Sequence, residues 1–299
     1  MNGALLIDCD SKIPNLALMH ISAWRKSEGL ETGWNVKDPS EVWASIVFEK
    51  NKHMADGLKF LYPNAMIDIG GGGYDYHKHL PEEVDRMMPD YSIYPDNDMS
   101  IGFTTRGCNR NCYFCHVREK EGKFRRFQHP SEFHNPAYKK MSILDNNLLF
   151  DKSWFFEVTD WARENKVKLD YSQGLDIRLM DNEIAQQLAK TPTFKVIHFA
   201  FDSEDYEDKV VEGIDILNRN GVKCRNKALF YVYCDGDHDF DSALYRCKKL
   251  HELGVMPYLM RNRNVESTKR MTVLSRWCRP WFFFKLSWEE WAKANKIEP

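Results

Sequence analysis

Three cysteines carry the sharpest chemical signal in the chain. In Thr104–Val117, TTRGCNRNCYFCHV, Cys108, Cys112 and Cys115 are spaced C-x3-C-x2-C. Three thiolates on one short, Gly- and Asn-rich loop make a soft-metal site. A fourth cysteine would close an iron–sulfur cluster or a structural zinc site; three leave one iron of a four-iron cluster without a protein ligand. An open coordination position is where substrate chemistry can take place. Two rival patterns overlap the loop. Cys112-Tyr113-Phe114-Cys115-His116 satisfies C-x-x-C-H, the c-type haem attachment pattern, but leaves Cys108 unexplained. A Cys3His zinc site would need adjacent Cys115 and His116 to reach one ion, and no further ligand pair follows.

The cysteine spacing, Phe114 immediately before the third cysteine, and the position just after a strand together resemble the radical S-adenosylmethionine (SAM) enzymes. That resemblance implies a [4Fe–4S] cluster on Cys108, Cys112 and Cys115. It implies SAM chelating the free iron, and reductive cleavage to a 5′-deoxyadenosyl radical that abstracts a substrate hydrogen. It also implies a flavodoxin- or ferredoxin-type electron donor. Along residues 100–260 the chain is similar to the radical SAM proteins that carry a cobalamin-binding domain. By that likeness Phe114 lies near the adenine, and Asp145 and Asn146 near the methionine end of SAM. Arg178 pairs with the SAM carboxylate, and Asp202 stands where the family usually has a glutamate at the ribose. The N-terminal third resembles a cobalamin-binding α/β domain, but the D-x-H-x-x-G motif is missing, since the residue two before His20 is Leu18. Cobalamin is therefore possible but not favoured. Only Cys9 lies in this region, which argues against the two-cluster methylthiotransferases.

Strands and helices must place these residues. Runs at 4–7, 42–48 and 66–69 read as strands, with helices over 14–27 and 53–62. Gly70–Gly73 follows the third strand and could let backbone approach a phosphate, though without G-x-G-x-x-G spacing. After a Pro-rich connection, strands are expected at 100–105, 141–145, 167–172, 195–201, 224–233 and 255–260. Helices are expected at 153–165, 181–190, 206–220 and 239–253. In the helix YEDKVVEGIDILNRNG, Val210, Ile214 and Leu217 line one face and Gly221 stands at the C-terminal cap. Strand–helix alternation implies parallel sheets and an α/β fold. The expected architecture is a small Rossmann-like domain over 1–95, a partial (β/α)6 TIM-type barrel over 96–265, and an aromatic-rich extension over 266–299. Asp145, Arg178 and Asp202 all fall just after strands, at the functional face of such barrels. Tyr171, Asn226 and Tyr231 are further candidates for the cavity.

Composition narrows the function. The chain has 299 residues and a formal net charge of -2, which excludes a protein held on nucleic acid by bulk charge. The longest apolar runs fall far short of the ~20 residues of a membrane span. The N-terminus lacks a basic, uninterrupted apolar leader. A cytoplasmic protein without membrane attachment is expected, its eight cysteines reduced or metal-bound. The substrate is expected to be a small molecule or peptide rather than nucleic acid. The basic loop Val117–Phe127 and the tail Ser275–Trp291 read as a solvated loop and a packed helix. Alternatively they are contacts for an anionic partner or covers for the barrel mouth. A cobalamin-dependent radical SAM methyltransferase is one alternative function. An iron–sulfur nucleic-acid-binding protein is another, from a different class.

Overall fold

The computed structural model describes residues 3–262 and 264–298. The chain divides into two compact units, one up to Met141 and one from Ser142. The boundary expected near residue 95 falls inside the first unit, so the cysteine loop belongs to the same unit as the N-terminal sheet.

In the first unit β1 (Gly3–Asp8), β2 (Glu31–Gly33), β3 (Glu41–Ser45) and β4 (Met66–Gly70) form a sheet of order β2-β1-β3-β4 with every pair parallel. The central strand β1 is flanked on both edges, and its Ala4-Leu5-Leu6 run is buried, as a strand covered on both faces requires. The strand expected over 42–48 stops at Ser45. Beyond it, Val47 and Phe48 N–H groups turn to the Asp10 carboxylate at 2.7 and 3.0 Å. Helix α1 (Leu16–Ser27) starts two residues after Pro14, where the Asn15 side chain caps Leu18 N–H. Its Leu18, Met19 and Ile21 pack on Leu6, Trp43, Tyr91 and Ile93. Helix α2 (Met54–Leu61) covers Ile46 and Ile69 with Ala55 and Leu58. The glycines after β4 serve packing. A Cβ on Gly71 would lie 2.3 Å from the Ile46 carbonyl oxygen, and one on Gly73 2.4 Å from the Phe48 carbonyl carbon. After a short helix α3 (Glu82–Asp85), the strand expected at 100–105 is two pieces, β5 (Ser100–Gly102) and β6 (Thr105–Arg106). Helix α4 (Val117–Glu121) and β7 (Arg125–Arg126) follow.

Strand β8 (Lys140–Ile143) leads into the second unit, next to β9 (Lys168–Asp170). Strands β10 (Ile197–Ala200), β11 (Ala228–Cys234) and β12 (Met256–Arg261) form a parallel sheet in chain order. Helices α5 (Lys152–Glu164), α6 (Asn182–Lys190) and α7 (Glu207–Arg219) alternate with them, and the first two are capped by Asp151 and Asp181. Residues expected to open the fifth strand form a helical turn, α8 (Cys224–Lys227), because the Asn218 side chain accepts from Cys224 N–H at 3.0 Å. Asn226 is therefore exposed before β11 begins, not at a strand's C-terminal end. After α9 (Phe240–Glu252), the tail forms α10 (Lys269–Trp277), α11 (Pro280–Phe283) and α12 (Trp288–Ala294). It is core: Trp277, Phe283 and Trp288 are at most 1% exposed, and the Trp277 ring lies 4.7 Å from Phe283 and 5.6 Å from Trp288. Among the described residues no helix is long and apolar enough to cross a membrane.

The two uses of glycine separate by mutation. Gly29 and Gly71 both have positive φ, but a Cβ on Gly29 meets nothing within 4 Å. Gly29→Ala is expected to cost about 1 kcal/mol in urea unfolding. Gly71→Ala adds a backbone collision and is expected to cost about 3 kcal/mol.

Candidate functional site

The cysteine loop is an excursion closed at its neck. β6 and β7 pair antiparallel, Thr105 with Arg126 and Arg106 with Arg125. Gly107, at φ +72°, runs so close to the returning chain that a Cβ would lie 2.4 Å from the Lys123 carbonyl oxygen. Cys108 N–H donates to the Gly122 carbonyl at 3.3 Å, and Arg118 donates to the Cys108 carbonyl at 2.9 Å. The buried Arg106 secures the base. It pairs with Asp85 and with Glu121 (3.3 Å), and its guanidinium lies 3.7 Å from the Phe103 ring centre and 4.9 Å from that of Phe127.

Within this excursion Cys108 and Cys112 are half-buried and Cys115 is exposed. Arg110 N–H donates to the Cys108 sulfur at 3.3 Å, and Cys115 N–H donates to the Cys112 carbonyl at 3.0 Å. Phe114 is half-buried against the exposed Tyr113, edge to face at 5.2 Å. His116 packs edge-on against Tyr76 at 5.4 Å and lies 3.8 Å from Glu119. Among the described residues no three His, Cys, Asp or Glu side chains converge closely enough to grip an ion. The fit to a metal lies in the donor set: three soft sulfur ligands within eight residues of one tethered, accessible loop. The other thiols differ in kind. Burial, with the charges of Asp10 and Asp8, pushes Cys9 up to about 11. Burial pushes Cys224 up to about 12, and thiols held protonated are poor ligands. Cys247 and Cys278, distant in sequence, are buried with sulfurs 3.7 Å apart.

In the second unit the expected residues cluster just after the strands. Asp145 and Asn147, after β8, are both 3% exposed. Asn147 donates to Asp176 at 3.4 Å, and Asp176 holds Arg178 through Nε at 2.6 Å and Nη2 at 3.1 Å. The fork expected to meet a ligand carboxylate is thus engaged by Asp176. The Arg178 guanidinium also lies 4.6 Å from the Tyr206 ring centre. Tyr206 accepts from the Asp202 N–H at 2.6 Å, and Asp202 accepts from Tyr233 N–H at 2.8 Å. Arg178 and Asp202 therefore share one ring. The Asn146 side-chain nitrogen and the Tyr171 hydroxyl are buried without a hydrogen-bond partner. Burial, and then the charge of Asp145, raises the Tyr171 hydroxyl well above its ordinary value. Two unsatisfied polar atoms beside a buried carboxylate suit a polar ligand. Tyr231 instead donates to the Ser172 carbonyl at 2.7 Å and stacks on His198 at 5.1 Å.

Four functional neighbours escaped sequence reasoning. Arg106 was given no role, although Phe103 and Phe127 at either side were the visible clue. Asp176 and Tyr206 became visible only once Arg178 was placed. Arg246, 1% exposed on α9, ties the Tyr233 and Phe201 carbonyls at 3.0 and 3.3 Å. It thereby holds the ends of β10 and β11 on either side of Asp202.

Burial pushes Asp202 up to about 6, against the lowering pull of the Tyr233 N–H, Arg246 and Arg178. A folded value above the unfolded ~3.9 means that this group's contribution to stability is full below pH ~4 and is lost as pH rises through about 6. Urea unfolding from pH 4.5 to 8 should therefore show Asp202→Asn gaining about 2 to 3 kcal/mol on the parent chain towards the alkaline end. A parallel pH dependence of the two proteins would refute this. No protein-family profile matches the chain, and no curated protein matches it.

Proposed function

We propose that the chain is a radical SAM enzyme that binds a [4Fe–4S] cluster and SAM. The observation that carries the reading is the donor set of Cys108, Cys112 and Cys115, half-buried to exposed on one loop tethered at its neck. When bound, the cluster and SAM supply one-electron cleavage of the sulfonium, and with it a 5′-deoxyadenosyl radical for hydrogen abstraction. The three cysteines hold the iron. Phe114 offers a ring face to the adenine. In the second unit Asp145 suits the ammonium, the Asn146 side-chain nitrogen the carboxylate, with the Arg178 charge beside it, and Asp202 the ribose. The orphaned Asn146 nitrogen and Tyr171 hydroxyl support a polar ligand there. Asp176 and Tyr206 keep Arg178 in one orientation, so less rotamer freedom is lost on binding.

The finer architecture follows the same reading: a Rossmann-like N-terminal sheet, a partial (β/α)6 barrel, and an aromatic-rich C-terminal extension. A flavodoxin- or ferredoxin-type protein is the electron donor, in a cytoplasmic setting. The net charge of -2 favours a small molecule or peptide as substrate over nucleic acid. Cobalamin is not part of the proposal. His20 is 2% exposed, and burial followed by the charge of Arg106 pushes its ring down to about 4, which marks a core residue.

Anaerobic reconstitution with iron and sulfide, then reduction with SAM, tests the function. The expected result is visible iron–sulfur absorbance and formation of 5′-deoxyadenosine, both reduced to background in Cys112→Ala. Equal 5′-deoxyadenosine from the parent and the variant would end the proposal.

A further inference from the structure

The first unit holds a cavity of about 480 Å³ that the cluster reading does not use. Its size falls in the range of small-molecule sites. It opens at the C-terminal edge of the parallel sheet, lined by Ser45 at the end of β3, Gly70 at the end of β4, and the first turns of α1. With the order β2-β1-β3-β4, the chain leaves β1 towards one edge and β3 towards the other. The crevice where such connections part is where open α/β sheets bind ligands.

Two kinds of surface line it. Leu16 of α1 and Phe103, both partly exposed, line it over the buried Leu18, Ile21 and Phe127, an apolar wall suited to a flat ring system. The charged lining is uneven in its pairing. The four lining carboxylates meet three cations: Asp68 has Lys78 at 2.6 Å, Glu82 has Arg86, from outside the lining, at 2.8 Å, and Asp85 and Glu121 share Arg106. Two lining cations are left over. Lys120 is half-buried, with its ammonium 5.4 Å from the Tyr76 ring centre and close to Gly72. Arg125 donates to the Glu121 carbonyl at 3.1 Å and lies over Phe127. Neither has a carboxylate in ion-pair contact among the described residues. The Nε of the buried Arg106, which also lines the cavity, has no hydrogen-bond partner.

We propose that this cavity binds a small anion with a flat apolar body, such as an aromatic carboxylate, with its ring against α1 and Phe103 and its charge towards Lys120 and Arg125. The lining includes residues from both arms of the cysteine excursion, Arg106 before it and Lys120 and Arg125 after it. The site stands on these residues alone and requires neither cluster nor SAM.

The test uses the full chain, kept reduced and free of iron, with 1-naphthoate as probe and 1-naphthylmethylammonium as the cation of similar shape, by titration calorimetry. Ala17 lines the cavity from an exposed position on α1, so Ala17→Trp obstructs it without entering the core. Naphthoate is expected to bind at least about tenfold more tightly than the ammonium. Its affinity should fall about tenfold or more in Lys120→Gln/Arg125→Gln and be lost in Ala17→Trp, with urea midpoints unchanged. The proposal is overturned by no naphthoate binding at millimolar concentration, by equal or better binding of the cation, or by affinity indifferent to these variants. Because no cluster is present, failure here leaves the radical SAM reading standing, and failure of that reading leaves the cavity result interpretable.

Discussion

A guanidinium out of water is costly unless charge and hydrogen bonds replace what hydration supplied. Arg106 is such a group, 8% exposed, and the first unit is built around meeting its demands. Asp85 comes from the short helix after the sheet and Glu121 from the end of α4. The rings of Phe103 and Phe127 take its faces, as the planar delocalised cation of arginine allows and lysine's does not. Satisfying one cation thus brings together the two strands at the neck, the helix that follows the cysteines, and the segment that follows the sheet. The cysteine loop inherits its fixed base from this arrangement, and the neighbouring cavity inherits one wall.

The second unit solves a related problem with different residues. Arg246 reaches from α9 to two strand-end carbonyls, and Arg178 is clamped by Asp176 and laid on Tyr206. Between them Asp202 loses water and is left partly compensated. Incomplete compensation of its burial is what raises its value. A carboxyl in that condition is suited to receive a donor from a ligand hydroxyl, which is the role proposed for it at the ribose.

Much of this arrangement was legible in the chain because its signals are local and periodic. The apolar runs of β1, β4 and β10, the helical stripe of Val210, Ile214 and Leu217, and Gly221 at its end all mark their elements. What stayed hidden depends on partners remote in sequence. β2 has three mostly polar residues and exists only because β1 offers an edge. β6 and β7 have two residues each and are defined by one another. The turn of α8 answers to a side chain of the preceding helix terminus. In the run Gly70–Gly73, which could have let backbone approach a phosphate, Gly71 and Gly73 answer to the backbone of residues 46–48. The cysteine triad was visible from spacing alone. The groups that orient the second unit's site were not, since Asp176, Tyr206 and Arg246 carry no motif.

The parallel pairing of strands has a practical corollary. Within each unit the candidate chemistry gathers where strands finish, so the ends where strands begin carry architecture only. The exposed turn of α8, before β11, belongs to that quiet side. A fluorophore, an affinity handle or a surface tether attached there would report on or immobilise the molecule while leaving the candidate sites undisturbed.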